Sequence, residues 1–426
     1  MQEEKLIPEG LKQNGNLLQA LGPGILMAAA AVGGSHLVAS TKAGAQFGWS
    51  LLILLLLVNL FKYPFFMYGA RYTAATGETI LHGYQRLGKA YLISFFLLNL
   101  VNAVFNIAGV SLISGSLALN LGIPEMWSPK WISLGISCVC AAIIIFGHYH
   151  LLDKVTKVIM FLLTVSTLFA VIMALTKGSQ RVEGFEATSP WTLASVGFLV
   201  QFMGWMPAPI DVGAWPSLWM MSRERETGYR ASMKHAMIDF HIGYIGTTVL
   251  AVFFLSLGVL VMYGTGESFS PSGGAFAKEF IQLYARSIGD WAKPVVAVAA
   301  FITMFSTTLT CVDGYPRALA VSMALFLNRE EKWRRYHMAW IVVSVLGAAL
   351  IVFRYVANLG DMLFLAMVVS FVTSPAFGWI NFKAMRADWV PASGRPGPWL
   401  SALSWAGLLF LSACSVGFVY WWLALK

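Results

Sequence analysis

Charge is what this chain has least of. Of its 426 residues 12% are Asp, Glu, Lys or Arg and 58% are hydrophobic, and the mean hydropathy is +0.69. A soluble globular chain carries about twice that share of charge, so there is too little here to cover a water-facing surface. Cysteine is scarce as well. Cys138, Cys140, Cys311 and Cys414 lie in apolar stretches with no CxxC pair and no neighbouring His cluster, which excludes a disulfide framework and a zinc site. HExxH, GxSxG and phosphate-loop motifs are missing, so an enzyme is not expected and no cofactor is implied. Nor does any basic run have the density that nucleic acid demands, and the formal charge of +9 reads instead as Lys and Arg gathered in cytoplasmic loops. The opening MQEEKLIPEGLKQNGNLLQALG carries acids and has no signal-peptide core, so residues 1–20 are expected to be a cytoplasmic tail.

What is present is grease at a regular spacing. Apolar stretches long enough to cross about 30 Å of hydrocarbon recur at 21–41, 47–70, 91–121, 131–147, 155–176, 191–221, 237–264, 290–323, 336–356, 359–384 and 399–423. These predict an all-α integral membrane protein of about eleven spans, with one transmembrane domain over 21–426. The short gap between the ninth and tenth spans leaves their separation ambiguous, and the polar stretches near 177–190 and 265–289 read as loops. Alternate loops hold roughly two-thirds of the 29 Lys and Arg. That bias predicts an inner-membrane protein with its N-terminus inside and its C-terminus outside. A monomer is expected, with the lipid bilayer as its surroundings.

Two spans contain helix breakers. The first is interrupted at Gly33-Gly34-Ser35-His36 and the sixth at Met206-Pro207-Ala208-Pro209. Freed backbone groups at membrane depth survive only where they line a cavity or meet a ligand. Breaks five spans apart are the mark of an inverted repeat, about 21–176 and 191–384 with an extra helix at 399–423, and of a mid-membrane site worked by alternating access.

The residues around these breaks resemble the NRAMP family of proton-coupled divalent-metal transporters. LGPGILMAAAAVGGSHLVASTKAGAQFGWSLL is similar to the family's LGPxxL…DPGN…AGAQxGYxLLW, GWMPAP to its sixth-helix Ala-x-x-Met-Pro-His, and STTLTCVDGY and LAMVVSFVTSPAFGWI to its eighth and tenth helices. The resemblance covers about residues 20–385 and implies the LeuT-type fold. It also implies a metal held by the Asp and Asn of DPGN and the sixth-helix Met. Here those first-helix positions are Gly33, Gly34, Ser35 and His36. Met206 is retained, Met203 replaces the small residue, and Ala208 replaces the His implied to assist protons. Asn106 and Gly109 stand near the acidic third-helix positions, and Met367 stands for the tenth-helix Gln.

A divalent ion without a carboxylate would carry an uncompensated charge in low dielectric. A softer N/S/O set of His36, Met206 and Asp211, joined by Met203, is the metal alternative. The other reading takes Gly33-Gly34-Ser35 as a backbone anion receptor for a small zwitterion or organic acid. Trp205 and Trp215 would then be walls, Ala208 and Asn106 lining, and Asp211 a partner for an ammonium group. His36 is open to three roles: proton coupling, a hydrogen-bond donor to the unwound segment, or packing against Ser306 or Thr307. Asp211 reads equally as a coupling or substrate group and as a helix cap. Asp313 and Arg317 read as a structural pair, while Lys62, Asp239 and His241 read as anchors near segment ends.

Overall fold

The computed structural model describes residues 6–8, 10–12, 15–124, 126–146, 149–177, 181–182, 184–266, 269–270 and 272–425, with backbone alone at 149–157, 159, 160 and 163. The first five residues of the expected tail lie outside the described residues. All eleven expected spans are helical. In order they are Pro23–Ala31 continued by Thr41–Phe47, Leu52–Thr76, Lys89–Ala118, Pro129–Phe146, Tyr149–Lys177, Val196–Trp205 continued by Trp215–Thr227, Met233–Val261, Lys293–Phe326, Trp333–Arg354, Leu359–Met385 and Pro398–Ala424.

The ninth and tenth spans are separate helices, because Asn358 takes an extended conformation and its side chain accepts from the Asp361 N–H at 3.0 Å. That contact starts a new helix by N-capping. The stretch near 265–289 differs from expectation: it holds the helix Gly273–Ile288. Its Phe276, Phe280, Leu283 and Tyr284 are buried at helical spacing, so a polar-looking segment folds by burying one stripe. A second short helix, Ile80–Leu87, joins the second and third spans.

The first and seventh spans touch backbone to backbone. A Cβ on Gly24 would lie 2.2 Å from the Asp239 carbonyl oxygen, and one on Gly243 2.1 Å from that of Gly24. At the other end, a Cβ on Gly44 would meet the Leu255 carbonyl oxygen at 2.1 Å, and one on Gly258 that of Thr41 at 2.1 Å. Lipid tails give no hydrophobic push between helices, so small residues that let main chains approach hold this pair together.

Asp239 of the seventh span completes the contact. Its carboxylate accepts from the Gly22 N–H at 3.0 Å and the Gly24 N–H at 2.6 Å, two of the orphan donors where the first helix begins. The expected anchor is therefore a cap delivered from another helix. Asp239→Ala is expected to lower stability by about 1–2 kcal/mol. Thermal unfolding of the detergent-purified protein measures this, and an unchanged melting temperature would remove the cap from the account.

Candidate functional site

Both spans break where the glycines and prolines stand. The first helix stops at Ala31, leaves helical geometry at Val32, and resumes through wide π-helical turns over Ser35–Ser40. The sixth stops at Trp205. Met206, Pro207, Ala208 and Pro209 then run non-helically into the tight turn Ile210–Ala214 before Trp215 restarts the helix. Pro207 and Pro209 have no N–H to give, so the preceding turn loses its donors.

Between the two breaks lies a cavity of about 20 Å³. That is room for a water molecule. The first span contributes Ala30, Ala31, Gly34 and Ser35, and the third Asn106 and Val110. The sixth adds Trp205, Ala208, Pro209 and Val212, and the eighth Thr307, Cys311 and Tyr315. Of the expected site residues, Gly34, Ser35, Asn106, Trp205 and Ala208 line it. Gly33, His36, Met203, Met206 and Asp211 do not.

The Trp205 indole fills the space between the helices. A Cβ on Gly34 would stand 2.4 Å from its Cζ3, and a Cβ on Gly109 3.1 Å from its Cη2. Gly34 therefore faces a ring in this conformation. Gly33 faces Thr307, whose Cγ2 would lie 2.7 Å from an added Cβ.

His36 is fully buried and is not part of the cavity lining. Its Nε2 pairs with the Thr247 carbonyl at 2.8 Å and its Nδ1 with the Ser35 hydroxyl at 2.7 Å, and that hydroxyl also lies 2.5 Å from the Ala31 carbonyl, sharing its one proton between the two. The expected contact with Ser306 or Thr307 is replaced by one with the seventh span, and the imidazole ties that span to the first.

Lys62 corrects the sequence reading most. It lies within Leu52–Thr76, fully buried, and anchors no segment end. Its ammonium donates to the carbonyls of Met203 at 2.7 Å, Gly204 at 3.0 Å and Ala208 at 3.1 Å. The Met203 and Gly204 oxygens belong to the end of the broken sixth helix, the negative pole of its dipole, and the Ala208 oxygen to the break itself. Asp211, also buried, is the opposite charge acting on Lys62. Its Oδ1 accepts from the Val212 N–H at 3.2 Å, and Tyr315 and Asn102 approach the same carboxylate. Asp211 therefore bonds within its own turn and adds an opposite charge to the surroundings of the lysine. A lone Lys in LLILLLLVNLFKYPFF was the available signal, since an ionisable group in a membrane span is a site candidate by default.

The proposed ligand set of His36, Met206 and Asp211 is not assembled at the cavity. No cluster of three His, Cys, Asp or Glu able to hold a metal ion occurs among the described residues. Asn106 donates to the Asn102 carbonyl at 2.9 Å and to Ser370 at 3.1 Å, which joins the third span to the tenth. Met367 presents its carbonyl to Gly204, where an added Cβ would meet it at 2.1 Å. Asp313 and Arg317 do form a two-pronged pair, at 2.7 and 3.1 Å. Trp219 and Ser222 of the sixth span join it, through Trp219 Nε1 to Asp313 at 2.8 Å and Arg317 to the Ser222 hydroxyl at 3.1 Å. Thr307, Cys311 and Tyr315 were missed as lining residues, although their four-residue spacing places them on one helical face.

The sequence model of the natural resistance-associated macrophage protein-like proteins, Nramp, matches residues 24–421. The chain belongs to the NRAMP family. An uncharacterized protein of Pasteurella multocida is 42% identical over 94% of this chain and 92% of its own length. The divalent metal cation transporter MntH of Listeria innocua is 23% identical, covering 97% of this chain and 92% of that protein. Among solved structures, the Eremococcus coleocola manganese transporter, as its H236A mutant, superposes with a TM-score of 0.69 at 12% identity, covering 99% of this chain and 92% of that one. The fold of this NRAMP protein is the LeuT type, two inverted five-helix repeats with the first and sixth helices broken, followed by an eleventh helix.

Two substitutions test the site's construction. Lys62→Met is expected to destabilise the protein by about 3 kcal/mol, because it strands three carbonyls and leaves Asp211 uncompensated. Lys62→Met with Asp211→Asn should recover part of that loss, and a double-mutant cycle on unfolding in detergent reads the coupling. Gly34→Val drives a branched side chain into the indole and should cost about 1–3 kcal/mol by overpacking. An unshifted melting curve together with unshifted Trp fluorescence would show that the ring does not sit there.

Proposed function

We propose that this NRAMP protein is a secondary active transporter that moves a small organic solute, a zwitterion or an organic acid, across the inner membrane by alternating access. The observation that carries this reading is the lining of the cavity between the breaks. It offers hydroxyls, an amide, a thiol and aromatic rings, and none of its residues is charged. A divalent ion there would meet no anionic ligand, and the cost of an unpaired double charge at membrane depth is prohibitive. An organic solute uses what is present: apolar and aromatic walls with a few polar groups that fix orientation. The cavity holds only about a water's volume, so an organic cargo requires Trp205 to swing out as the site opens.

The second reading is a divalent metal ion, which similarity to the Listeria divalent metal cation transporter and the Eremococcus manganese transporter favours. It needs His36 to leave the Thr247 carbonyl and converge with Met206 and Asp211. The orientation proposed is N-terminus in the cytoplasm and C-terminus outside, in one transmembrane domain working as a monomer. It rests on the Lys and Arg bias of alternate loops.

Calorimetric titration with Mn²⁺, beside a thermal-shift screen of amino acids and small organic acids, separates the readings. No saturable Mn²⁺ isotherm is expected at micromolar concentration, and an organic ligand near 100 times its Kd should stabilise by about 2.7 kcal/mol. A saturable Mn²⁺ isotherm abolished by Met206→Ala would overturn the organic-solute reading in favour of the metal.

A further inference from the structure

Lys62 supplies more than a helix end needs. Its ammonium has three N–H groups and no acceptor, and all three are used, on the carbonyls of Met203, Gly204 and Ala208. A neutral donor would satisfy carbonyls at a lower desolvation cost. The first-helix break has such a remedy. There the Thr307 hydroxyl lies 2.9 Å from Ala29 O and 3.1 Å from Val32 O, and no charge is used. At the sixth-helix break the chain instead buries a full positive charge, 0% exposed, inside Leu52–Thr76.

What surrounds that charge is a place built for a cation. Met203 and Gly204 stand in the last turn of Val196–Trp205, so their carbonyls form the negative pole of a half-helix. Ala208 O, from the break, converges on the same nitrogen. Asp211, buried as well, adds a negative charge, and its Oδ2 has no hydrogen-bond partner. A dipole end, three carbonyl oxygens and a carboxylate would hold a free cation if the lysine were not there. The lysine reaches them on a four-carbon stem from the second span. A tethered group binds at the effective concentration its short link sets, which any free ion must overcome. Ala208 also lines the cargo cavity, so the place lies directly behind the cavity wall.

We propose that Lys62 is the residue that excludes cations from this transporter's site: its ammonium fills the cation place at the sixth-helix break, which therefore holds neither a metal ion nor a free ammonium group. The consequence for the cargo is that it carries no net positive charge, and that consequence rests on the transporter reading. Occupancy of the lysine's place is measured with no cargo present, so either can fail alone.

Lys62→Ala removes Cγ, Cδ, Cε and Nζ, and n-propylammonium is that fragment as a free molecule. The test is melting of the detergent-purified full chain, wild type and Lys62→Ala, in n-propylammonium chloride, choline chloride or 1-propanol at constant ionic strength and pH. n-Propylammonium is expected to raise the Tm of Lys62→Ala saturably, by about 2 °C at ten times its dissociation constant, relative to choline. It should leave wild type unmoved, because the place is taken. 1-Propanol fills the same space without the charge and should stabilise neither protein. Lys62→Ala with Asp211→Asn should bind the amine about tenfold more weakly. Equal effects of the amine and 1-propanol would make the lysine a filler of space and overturn the proposal. So would a saturable amine effect on wild type, an affinity indifferent to Asp211→Asn, or a Lys62→Ala protein that ignores the amine. Should Lys62→Ala not survive purification, each compound is added during extraction. Monodisperse protein recovered with n-propylammonium alone supports the proposal, and recovery with neither compound overturns it.

Discussion

A helix cut in mid-membrane leaves carbonyls without donors, and water is not there to supply them. That single constraint organises the centre of this protein. At the sixth-helix break the remedy is a lysine carried in by the second span, whose ammonium serves three carbonyls at once. At the start of the first helix the orphans are donors, and the remedy is Asp239 of the seventh span, which accepts from the Gly22 and Gly24 N–H groups. At the first-helix break it is a threonine hydroxyl from the eighth. Each remedy comes from a different helix, so the breaks are joints of the whole bundle and the fold is needed to make them tolerable.

Charge is treated sparingly for the same reason. Lys62 and Asp211 are buried beside the sixth-helix break and offset one another. Asp313 and Arg317 pair directly and are held by Trp219 and Ser222 of the sixth span. Neither pair is displayed to the cavity, whose lining is neutral. Within the family pattern the first break carries a carboxylate and an amide; here it carries glycines, a serine and a histidine turned toward Thr247. The cation that the sixth-helix carbonyls attract is part of the chain itself.

The Trp205 indole connects the two halves of the site. It is rooted at the end of the sixth helix, lies over Gly34 of the first, and reaches Gly109 of the third. Aromatic rings move as rigid plates, so displacing this one must alter packing on all three spans together. In the closed arrangement it leaves about one water's volume beside it. One ring thus packs on the first-helix break and bounds the cavity at the same time.

The eleven spans, their order and the two breaks were legible in the sequence, because apolar length and the placement of Gly and Pro are local properties. So was the family resemblance, carried by LGP, AGAQFGW and GWMPAP. The fold decided which residues face one another. His36 looked like a site group, but its two ring nitrogens are taken up by the Thr247 carbonyl and the Ser35 hydroxyl. Lys62 looked like an anchor, and the crossing of the second and sixth spans made it the counterion of a helix end. Gly34 read as an open approach for cargo until the indole from the sixth span was set against it. The helix Gly273–Ile288 was hidden for a related reason: its apolar stripe is short and acquires meaning only once other helices cover it. Periodicity and breakers are written along the chain, whereas the partner of a buried polar group comes from a segment tens or hundreds of residues away. Lys62 and the carbonyl it holds are 141 positions apart, and Thr307 and its carbonyl 278.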